Sequence, residues 1–393
     1  MATSASTLDI LLTLPEELQL LKSELRQFVN ERVEPRSVEI EATDEIPPDL
    51  LDEARKLGLF GLMIPEQYGG LGLTLTGKCV VEEELGRSSY GFATLIGNHT
   101  GISSMGIVEF GSDEQRVRYL PRMATGEVIG AFALSEAGAG SDPSDLRTFA
   151  GRRGDGWVLT GEKLFITNAP EASIFTVMAR TDRSQSIRGI SAFLVERAWS
   201  GVSVGPKEAK MGMRGGHTAT VSFDAVIVPG QSLLGKEGQG FTAALKVLTK
   251  GRVTLSARCV GMAERLLEKC VAHARQRVQF GRPIVDYQAI QIKLADMALG
   301  VQAARLLTYH AATAIEQGRP AVKEAAMAKL YASEMVCRVA DEAVQIHGGM
   351  GYMKELDVER YYRDARITKI YEGTSEIQRL IIAREITGSD LRG

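Results

Sequence analysis

Trp157-Val-Leu-Thr160, Ile174-Phe-Thr-Val-Met178 and Ile190-Ser-Ala-Phe-Leu-Val195 follow one another as short β-rich runs, separated by turn residues rather than by a helix. Val202-Ser-Val204 and Ala219-Thr-Val-Ser-Phe223 continue the pattern. These runs predict an antiparallel sheet or small barrel between about residues 129 and 235. A βαβ nucleotide-binding unit needs a helix after each strand, and no such alternation is present.

On both sides of this segment the texture is helical. Residues 240–279 contain no proline and place Leu245, Leu248, Leu255, Val260 and Leu266 at helical spacing. Gly281 and Pro283 end that run, and helices are predicted over about 286–317, 321–346 and 375–387. Successive helices with short links imply an antiparallel bundle. Toward the N-terminus, Leu18, Leu21, Leu25 and Phe28 repeat at three and four residues, after Thr13-Leu-Pro-Glu16 with its capping-box spacing. Further helices are predicted around 49–58, 76–88 and 112–125, with turns such as Gly69-Gly-Leu-Gly72 between them. The expected fold class is α+β: an N-terminal helical domain (1–128), a central antiparallel β domain (129–239) and a C-terminal four-helix bundle (240–393).

At 393 residues the chain has room for two or three domains of roughly 150 residues. Lys plus Arg number 46 against 49 for Asp plus Glu, a formal charge of −3, which argues against nucleic acid as the main partner. Cys79, Cys259, Cys270 and Cys337 lie far apart with no C-x-x-C, so a reducing compartment is the simplest reading. His99, His217, His273, His310 and His347 show no metal-ligand spacing, so no metal is expected. No apolar run reaches the roughly 18 residues of a membrane span, and no export signal is visible at the N-terminus. A cytoplasmic location with no membrane partner is the default expectation.

Five motifs could carry chemistry. Ser135-Glu-Ala-Gly-Ala-Gly-Ser-Asp142 offers backbone N–H groups and two hydroxyls to an anion or a polar cofactor rim, and reads equally as an ordinary turn. Glu162-Lys-Leu-Phe-Ile-Thr-Asn168 turns Phe165 and Thr167 to one face of a strand, where a ring could stack, or simply forms a half-buried strand. Arg277-Val-Gln-Phe-Gly-Arg-Pro283 closes a long helix with a cation, which also serves as a dipole partner. Gln345-Ile-His-Gly-Gly-Met-Gly351 closes another, and its glycines also serve as C-caps. In Tyr371-Glu-Gly-Thr-Ser-Glu-Ile-Gln-Arg379, Glu372 precedes a helix that Thr374 or Ser375 can cap. Such a carboxylate is either a solvated loop residue or a base with a raised pKa.

These motifs, in this order along an α-β-α chain, resemble the acyl-CoA dehydrogenase family from about residue 15 to residue 388. The most specific pieces are Ala133-Leu-Ser-Glu-Ala-Gly-Ala-Gly-Ser-Asp142, Gln279-Phe-Gly-Arg-Pro-Ile284, Gln345-Ile-His-Gly-Gly-Met-Gly351 and Arg363-Asp-Ala-Arg-Ile367 with Tyr371-Glu-Gly-Thr-Ser375. The resemblance implies FAD between the β domain and the bundle. Phe132, Leu134, Ser135, Gly140, Ser141, Phe165, Ile166 and Thr167 would line the flavin. Many members carry tryptophan where Phe165 stands, which changes the stacking area. Arg277, Gln279, Phe280, Tyr287, Gln288, Gln345, Ile346, Gly348, Gly349, Thr374 and Glu376 complete the implied cofactor set, part of it serving the FAD of a neighbouring subunit. A homotetramer, as a dimer of dimers, follows from the resemblance.

The same resemblance makes Glu372 the catalytic base. One subgroup carries its base at the position of Gly251, which has no side chain to do it. Glu372 would take the α-proton of an acyl-CoA thioester while flavin N5 accepts the β-hydride, giving the trans-2-enoyl-CoA, with electrons passed to electron-transfer flavoprotein. Ser141, Thr249, Arg252, Tyr371 and Gly373 look like substrate positions. His99-Thr-Gly-Ile102 and the stretch from Ile190 to Met213 look closest to the medium- and long-chain branch. Two further readings compete: an acyl-CoA oxidase, and a non-catalytic flavin-bearing relative that binds nucleic acid. The intact Glu372 and the net charge speak against the latter.

Overall fold

The computed structural model describes residues 14–388. The chain begins with helices α1 (Glu16–Phe28), α2 (Ser37–Thr43), α3 (Pro48–Lys56), α4 (Leu75–Leu85), α5 (Tyr90–Asn98), α6 (Ser104–Phe110) and α7 (Asp113–Ala124). Strands β1 (Gly130–Ala133), β2 (Phe149–Arg153), β3 (Gly156–Thr167), β4 (Ile174–Arg180), β5 (Ile190–Glu196), β6 (Val202–Val204), β7 (Thr218–Val228) and β8 (Leu233–Leu234) follow. Helix α8 (Gly240–Gln276) leads to a hairpin of β9 (Val278–Gln279) and β10 (Arg282–Pro283), then to α9 (Gln288–Glu316), α10 (Val322–His347), α11 (Val358–Ala365) and α12 (Ser375–Thr387). Helical, β and helical parts thus stand in the expected order. Contacts divide the chain into two compact units: 43–74 with 94–251, and 1–42 with 75–93 and 252–393.

In the first of these units, the strands run in the order β6-β7-β3-β2-β4-β5-β8, with β1 added beside β4. Strands β4 and β5 are buried on both faces, so they read as continuous apolar runs rather than alternating ones. Phe175, Val177, Phe193 and Val195 enter one core with Trp157, while Ile174, Met178, Ala192 and Leu194 enter another with Leu120 and Met123. The sheet is not wholly antiparallel as expected: β1 pairs β4 in parallel and β2 meets it in parallel at one position. Strand β1 enters from α7 rather than from a hairpin, so no tight turn forces it to run antiparallel.

The other unit is helical, and α4 is its axis. Lys78, Glu82, Glu83 and Glu84 on α4 are all buried. Three successive glutamates each meet a different helix: Glu82 pairs with Arg258 of α8 at 2.7 Å, Glu83 with Arg305 of α9 at 2.9 Å, and Glu84 with Arg26 of α1 at 2.7 Å. Successive residues on a helix point about 100° apart, so α4 must be surrounded. Its approach to α8 is backbone to backbone. A Cβ on Gly261 would lie 1.8 Å from the Glu83 carbonyl, and one on Gly86 2.3 Å from that of Arg258.

Helices α5 and α6 carry no polar face and escaped the periodicity reading, because they too are largely enclosed. Helix α1 starts at Glu16 with Pro15 as its N-cap and no side-chain cap there. The expected capping box involves Thr13, which lies outside the described residues.

Candidate active site

Between α11 and α12 the chain turns through Tyr371-Glu372-Gly373-Thr374. Glu372 holds φ at +54° and Gly373 at +92°, two successive left-handed residues. Thr374 caps α12, its hydroxyl accepting from the Ile377 N–H at 3.3 Å. Three buried donors fix the turn from three helices. Arg252 Nε of α8 donates to the Glu372 carbonyl at 3.2 Å, and Gln378 Nε2 of α12 donates to it at 3.1 Å. Gln378 also reaches the Gly373 carbonyl at 3.0 Å, which Lys329 Nζ of α10 contacts at 2.7 Å. A Cβ on Gly373 would lie 2.6 Å from Gln378 Nε2, and the φ of +92° is one that side chains rarely adopt, so glycine is favoured there. Tyr371 is braced from its own side, its hydroxyl 2.9 Å from that of Tyr90.

The carboxylate itself is treated differently. Glu372 Oε2 is buried with no hydrogen-bond partner. Burial pushes its pKa up, against the opposing pull of Arg258, Arg252, Lys329 and Lys78. The turn's backbone is thus pinned while this carboxylate oxygen is left with lone pairs that no donor occupies. Sequence reading located Glu372, Tyr371, Gly373 and Arg252, but missed Lys329 and Gln378. A signal for Lys329 existed, since it falls four residues after Ala325 and three before Ala332, on the stripe that α10 buries. Arg252, expected as a cationic substrate contact, is buried and spends its Nε on the turn.

In the sheet unit, the loop after β1 docks on β3. Lys163 Nζ donates to the Leu134 carbonyl at 3.0 Å and to Glu136 Oε1 at 2.7 Å, and the Leu164 N–H donates to the Ser135 carbonyl at 2.9 Å. Glu136 also accepts from the N–H groups of Arg147 and Thr148 at 2.7 and 3.1 Å. The loop holding Ser135, Gly140 and Ser141 is therefore tied to the strand holding Phe165, Ile166 and Thr167. A bulge between Lys163 and Ile166 gives Phe165 a φ of +58° and leaves it 70% exposed, with Ile166 buried and Thr167 half-buried. Phe132 is a core residue of this unit. Thr249 donates within its own helix, to the Leu245 carbonyl at 2.8 Å.

In the helical unit, the hairpin after α8 carries Phe280, 93% exposed at a φ of +51°. Tyr287 braces it, donating to the Gln279 carbonyl at 2.9 Å. Arg277, Gln279 and Gln288 are exposed beside it. The Gly348-Gly349 loop ends α10, and a contact that the sequence did not suggest brings it to the hairpin: His273 and His347 stack with ring centroids 4.2 Å apart. The Arg277 N–H bonds the His273 carbonyl at 2.8 Å, completing the link. Gln345, Gly348 and Gly349 are exposed, whereas Ile346 is buried and offers only its backbone. Glu376 is exposed on the first turn of α12.

Family models cover nearly the whole described chain: the acyl-CoA dehydrogenase N-terminal domain over residues 15–127, the middle domain over 131–226 and the C-terminal domain over 238–387. The chain belongs to the acyl-CoA dehydrogenase family. As such it is an FAD-dependent flavoprotein oxidoreductase. It is 44% identical to an acyl-CoA dehydrogenase of Bacillus subtilis over 95% of this chain and 98% of that one. It is 42% identical to the mitochondrial short-chain specific acyl-CoA dehydrogenase of Homo sapiens, over 96% and 91%. Among solved structures, butyryl-CoA dehydrogenase from Megasphaera elsdenii superposes with a TM-score of 0.92 at 37% identity, covering 95% and 98%. A chain from a study of the electron transferring flavoprotein of Acidaminococcus fermentans gives 0.93 at 39%, covering 96% and 99%.

The residues suit the cofactor the family uses. A Cβ at Gly138, Gly140, Gly348 or Gly349 would meet nothing within 4 Å, so those backbones are open to a ligand. Phe165 and Phe280 hold exposed rings on positive-φ backbone, a cost that an aromatic partner would offset.

The leaning toward the medium- and long-chain branch is not upheld, since the relatives named for chain length are short-chain enzymes. The segments behind it are structural. His99 is buried, accepting the Gly130 N–H on Nδ1 at 3.1 Å and meeting the Met123 carbonyl at 2.9 Å, while Ile190–Val195 lies inside the sheet. They report how the fold closes, not how deep an acyl pocket runs.

Proposed function

We propose that this chain dehydrogenates a short-chain acyl-CoA between its α and β carbons, with Glu372 as the base, and hands the electrons to an electron-transferring flavoprotein. The observation that carries this reading is Glu372 Oε2, buried without a hydrogen-bond partner on a turn whose two carbonyls are held by Arg252, Gln378 and Lys329. An α-proton beside a thioester is weakly acidic, so its removal needs a desolvated base and a donor for the developing enolate oxygen. Burial supplies the first. The N–H of Glu372, on a turn whose own two carbonyls are already engaged, is the proposed donor for the second. The bound flavin supplies the hydride acceptor for the β carbon. Phe165 and Thr167 are proposed to face its ring, with the 135–141 loop along its edge.

Arg277, Gln279, Phe280, Tyr287, Gln288 and the Gln345–Gly349 segment are the proposed contacts for the rest of the dinucleotide, with Thr374 and Glu376 beside it. Ser141, Thr249, Tyr371 and Gly373 remain the proposed substrate contacts. The proposed assembly is a homotetramer. Ile292, Leu299 and Leu306 recur every seventh residue on α9 and are 61%, 69% and 45% exposed, a stripe suited to a second copy. No helix among the described residues is long and apolar enough to cross a membrane.

The test is an anaerobic titration of the purified flavoprotein with acyl-CoAs of increasing chain length, following the visible flavin band. Bleaching that is fastest for four to six carbons is the expected outcome, on the order of tenfold over a long chain. Bleaching by long chains alone overturns the substrate class, and bleaching by none overturns the reaction. Oxygen uptake that matches turnover would make the protein an oxidase.

A further inference from the structure

Four cations surround Glu372, and they are not equivalent. Arg258 and Lys78 share the one carboxylate of Glu82, at 2.7 and 3.7 Å, so each has an anion in contact. Arg252 and Lys329 form no salt bridge among the described residues; each instead donates to a carbonyl of the 372–373 turn. Lys329 is 0% exposed, and among the described residues its Nζ donates to the Gly373 carbonyl alone. The groups facing it are Glu372, Cys259, Arg252 and Glu376. An ammonium withdrawn from water without a carboxylate contact costs several kcal/mol, and a neutral residue would fill the same space. Lys329 holds the carbonyl of the residue next to Glu372, and Glu372 is the carboxylate whose charge acts on it most strongly.

We propose that Lys329 is a positioning residue for the Glu372 base, holding the Gly373 carbonyl with its Nζ and favouring the ionised carboxylate with its charge. This rests on the reading of Glu372 as the base. Burial brings the Lys329 ammonium down to about 8, against the pull of Glu372, so it is charged at neutral pH. Two jobs separate by substitution. Lys329→Gln keeps a donor and loses the charge, Lys329→Met loses both, and Lys329→Arg keeps both.

The experiment compares the pH profile of kcat/KM, together with kcat and KM, across the three variants and the parent holoenzyme. In Lys329→Gln and Lys329→Met the acidic limb is expected to move up by about one pH unit, because Glu372 loses a cation that favours its charged form. At pH 8, kcat is expected to fall roughly tenfold in Lys329→Met and less in Lys329→Gln, with KM changed less than about threefold. Lys329→Arg should leave the limb in place. Should Lys329→Met not fold, Lys329→Gln alone decides the charge effect. A limb that stays put in a folded, flavin-loaded Lys329→Gln overturns the proposal while leaving the base assignment intact. A parent enzyme that bleaches with no acyl-CoA overturns the reaction instead.

Discussion

Two lysines, one in each compact unit, are fully buried beside site residues, and burial brings both ammonium groups down to about 8. Both donate to a backbone carbonyl: Lys163 to Leu134 and Lys329 to Gly373. They differ in the carboxylate they answer. Glu136 sits 2.7 Å from Lys163 and fills its other lone pairs with the N–H groups of Arg147 and Thr148. Glu372 has no salt-bridge contact with Lys329 and leaves Oε2 without a donor. The same kind of cation thus meets a carboxylate held by three donors in one unit and, in the other, one with an oxygen left open, where the base role is proposed. For Glu136, burial raises the pKa but Lys163 and the hydrogen bonds outweigh it, so the net shift is down. For Glu372 burial wins over the surrounding cations and the net shift is up.

The sharpest way to break this contrast is to neutralise each carboxylate. Glu372→Gln is expected to lower turnover by about a thousandfold, within the range that general bases contribute, with flavin still bound. Stability at pH 7 should rise. A carboxylate with a raised folded pKa contributes stability that is lost as pH increases through that pKa, and glutamine removes the loss. Glu136→Gln should do the reverse, keeping much of the turnover and losing stability. Its folded pKa is depressed, so its contribution is present above its unfolded value and lost on acidification. Thermal unfolding and flavin reduction, measured on both variants, check the pair of signs; equal signs would end the comparison.

Removing the scaffold cation comes next in size. Lys163→Met leaves Glu136 buried without its partner, at a cost of about 3 kcal/mol. The loop from Ser135 to Ser141 then loses its side-chain tie to β3 and keeps only the Leu164 N–H bond, so flavin retention on dilution should weaken along with the melting temperature. A variant that melts low but retains flavin normally would show that the loop is held by its backbone bonds alone.

Next, the parent enzyme's kcat/KM should fall on acidification through an apparent pKa above the ordinary carboxylate value of 4.5, since only ionised Glu372 accepts the α-proton. A limb at or below 4.5 would mean that the cations, rather than burial, dominate at the base.

How much of this was legible beforehand follows from what leaves a trace in one sequence. The order of helical and β parts was, because burial on one face of α1 and at the ends of α8 writes a period into the residues. The turn that carries Glu372 before a cappable helix was, whereas the base role proposed for Glu372 came from the family resemblance and not from its spacing. The role of α4 was not: three adjacent glutamates on a helix read as a solvated face, and only long-range pairing with Arg258, Arg305 and Arg26 makes them core. Lys163 and Glu136 lie 27 residues apart, and the His273–His347 stack joins the ends of two helices. Nothing local announces such pairs. The bulge at Phe165 was likewise hidden, since alternation describes a strand that keeps its register.

The smallest expected effect concerns a third buried cation, His217, in the same unit as Lys163. Its Nδ1 meets Glu171, its Nε2 lies 2.6 Å from the Asp44 carbonyl, and Lys207, itself paired with Glu45, approaches Nε2 at 3.2 Å. With acceptors at both ring nitrogens, the imidazolium is favoured. Burial lowers its pKa, but the bonds to Glu171 and Asp44 outweigh burial and the Lys207 charge, and the net shift is upward. Between the ordinary value of 6.5 and the raised one, the folded chain binds more protons than the unfolded chain. Stability from this group is thus complete below pH 6.5 and fades as the pH rises through its folded pKa, with a slope of at most about 1.4 kcal/mol per pH unit. His217→Gln should remove that slope from a stability–pH profile while leaving the acidic limb of activity where it was. Because the His217 carbonyl accepts the Asn168 N–H at 2.9 Å, next to Thr167, a shifted flavin spectrum in this variant would place His217 with Lys329 as a tuner of the site rather than with Lys163 as scaffold.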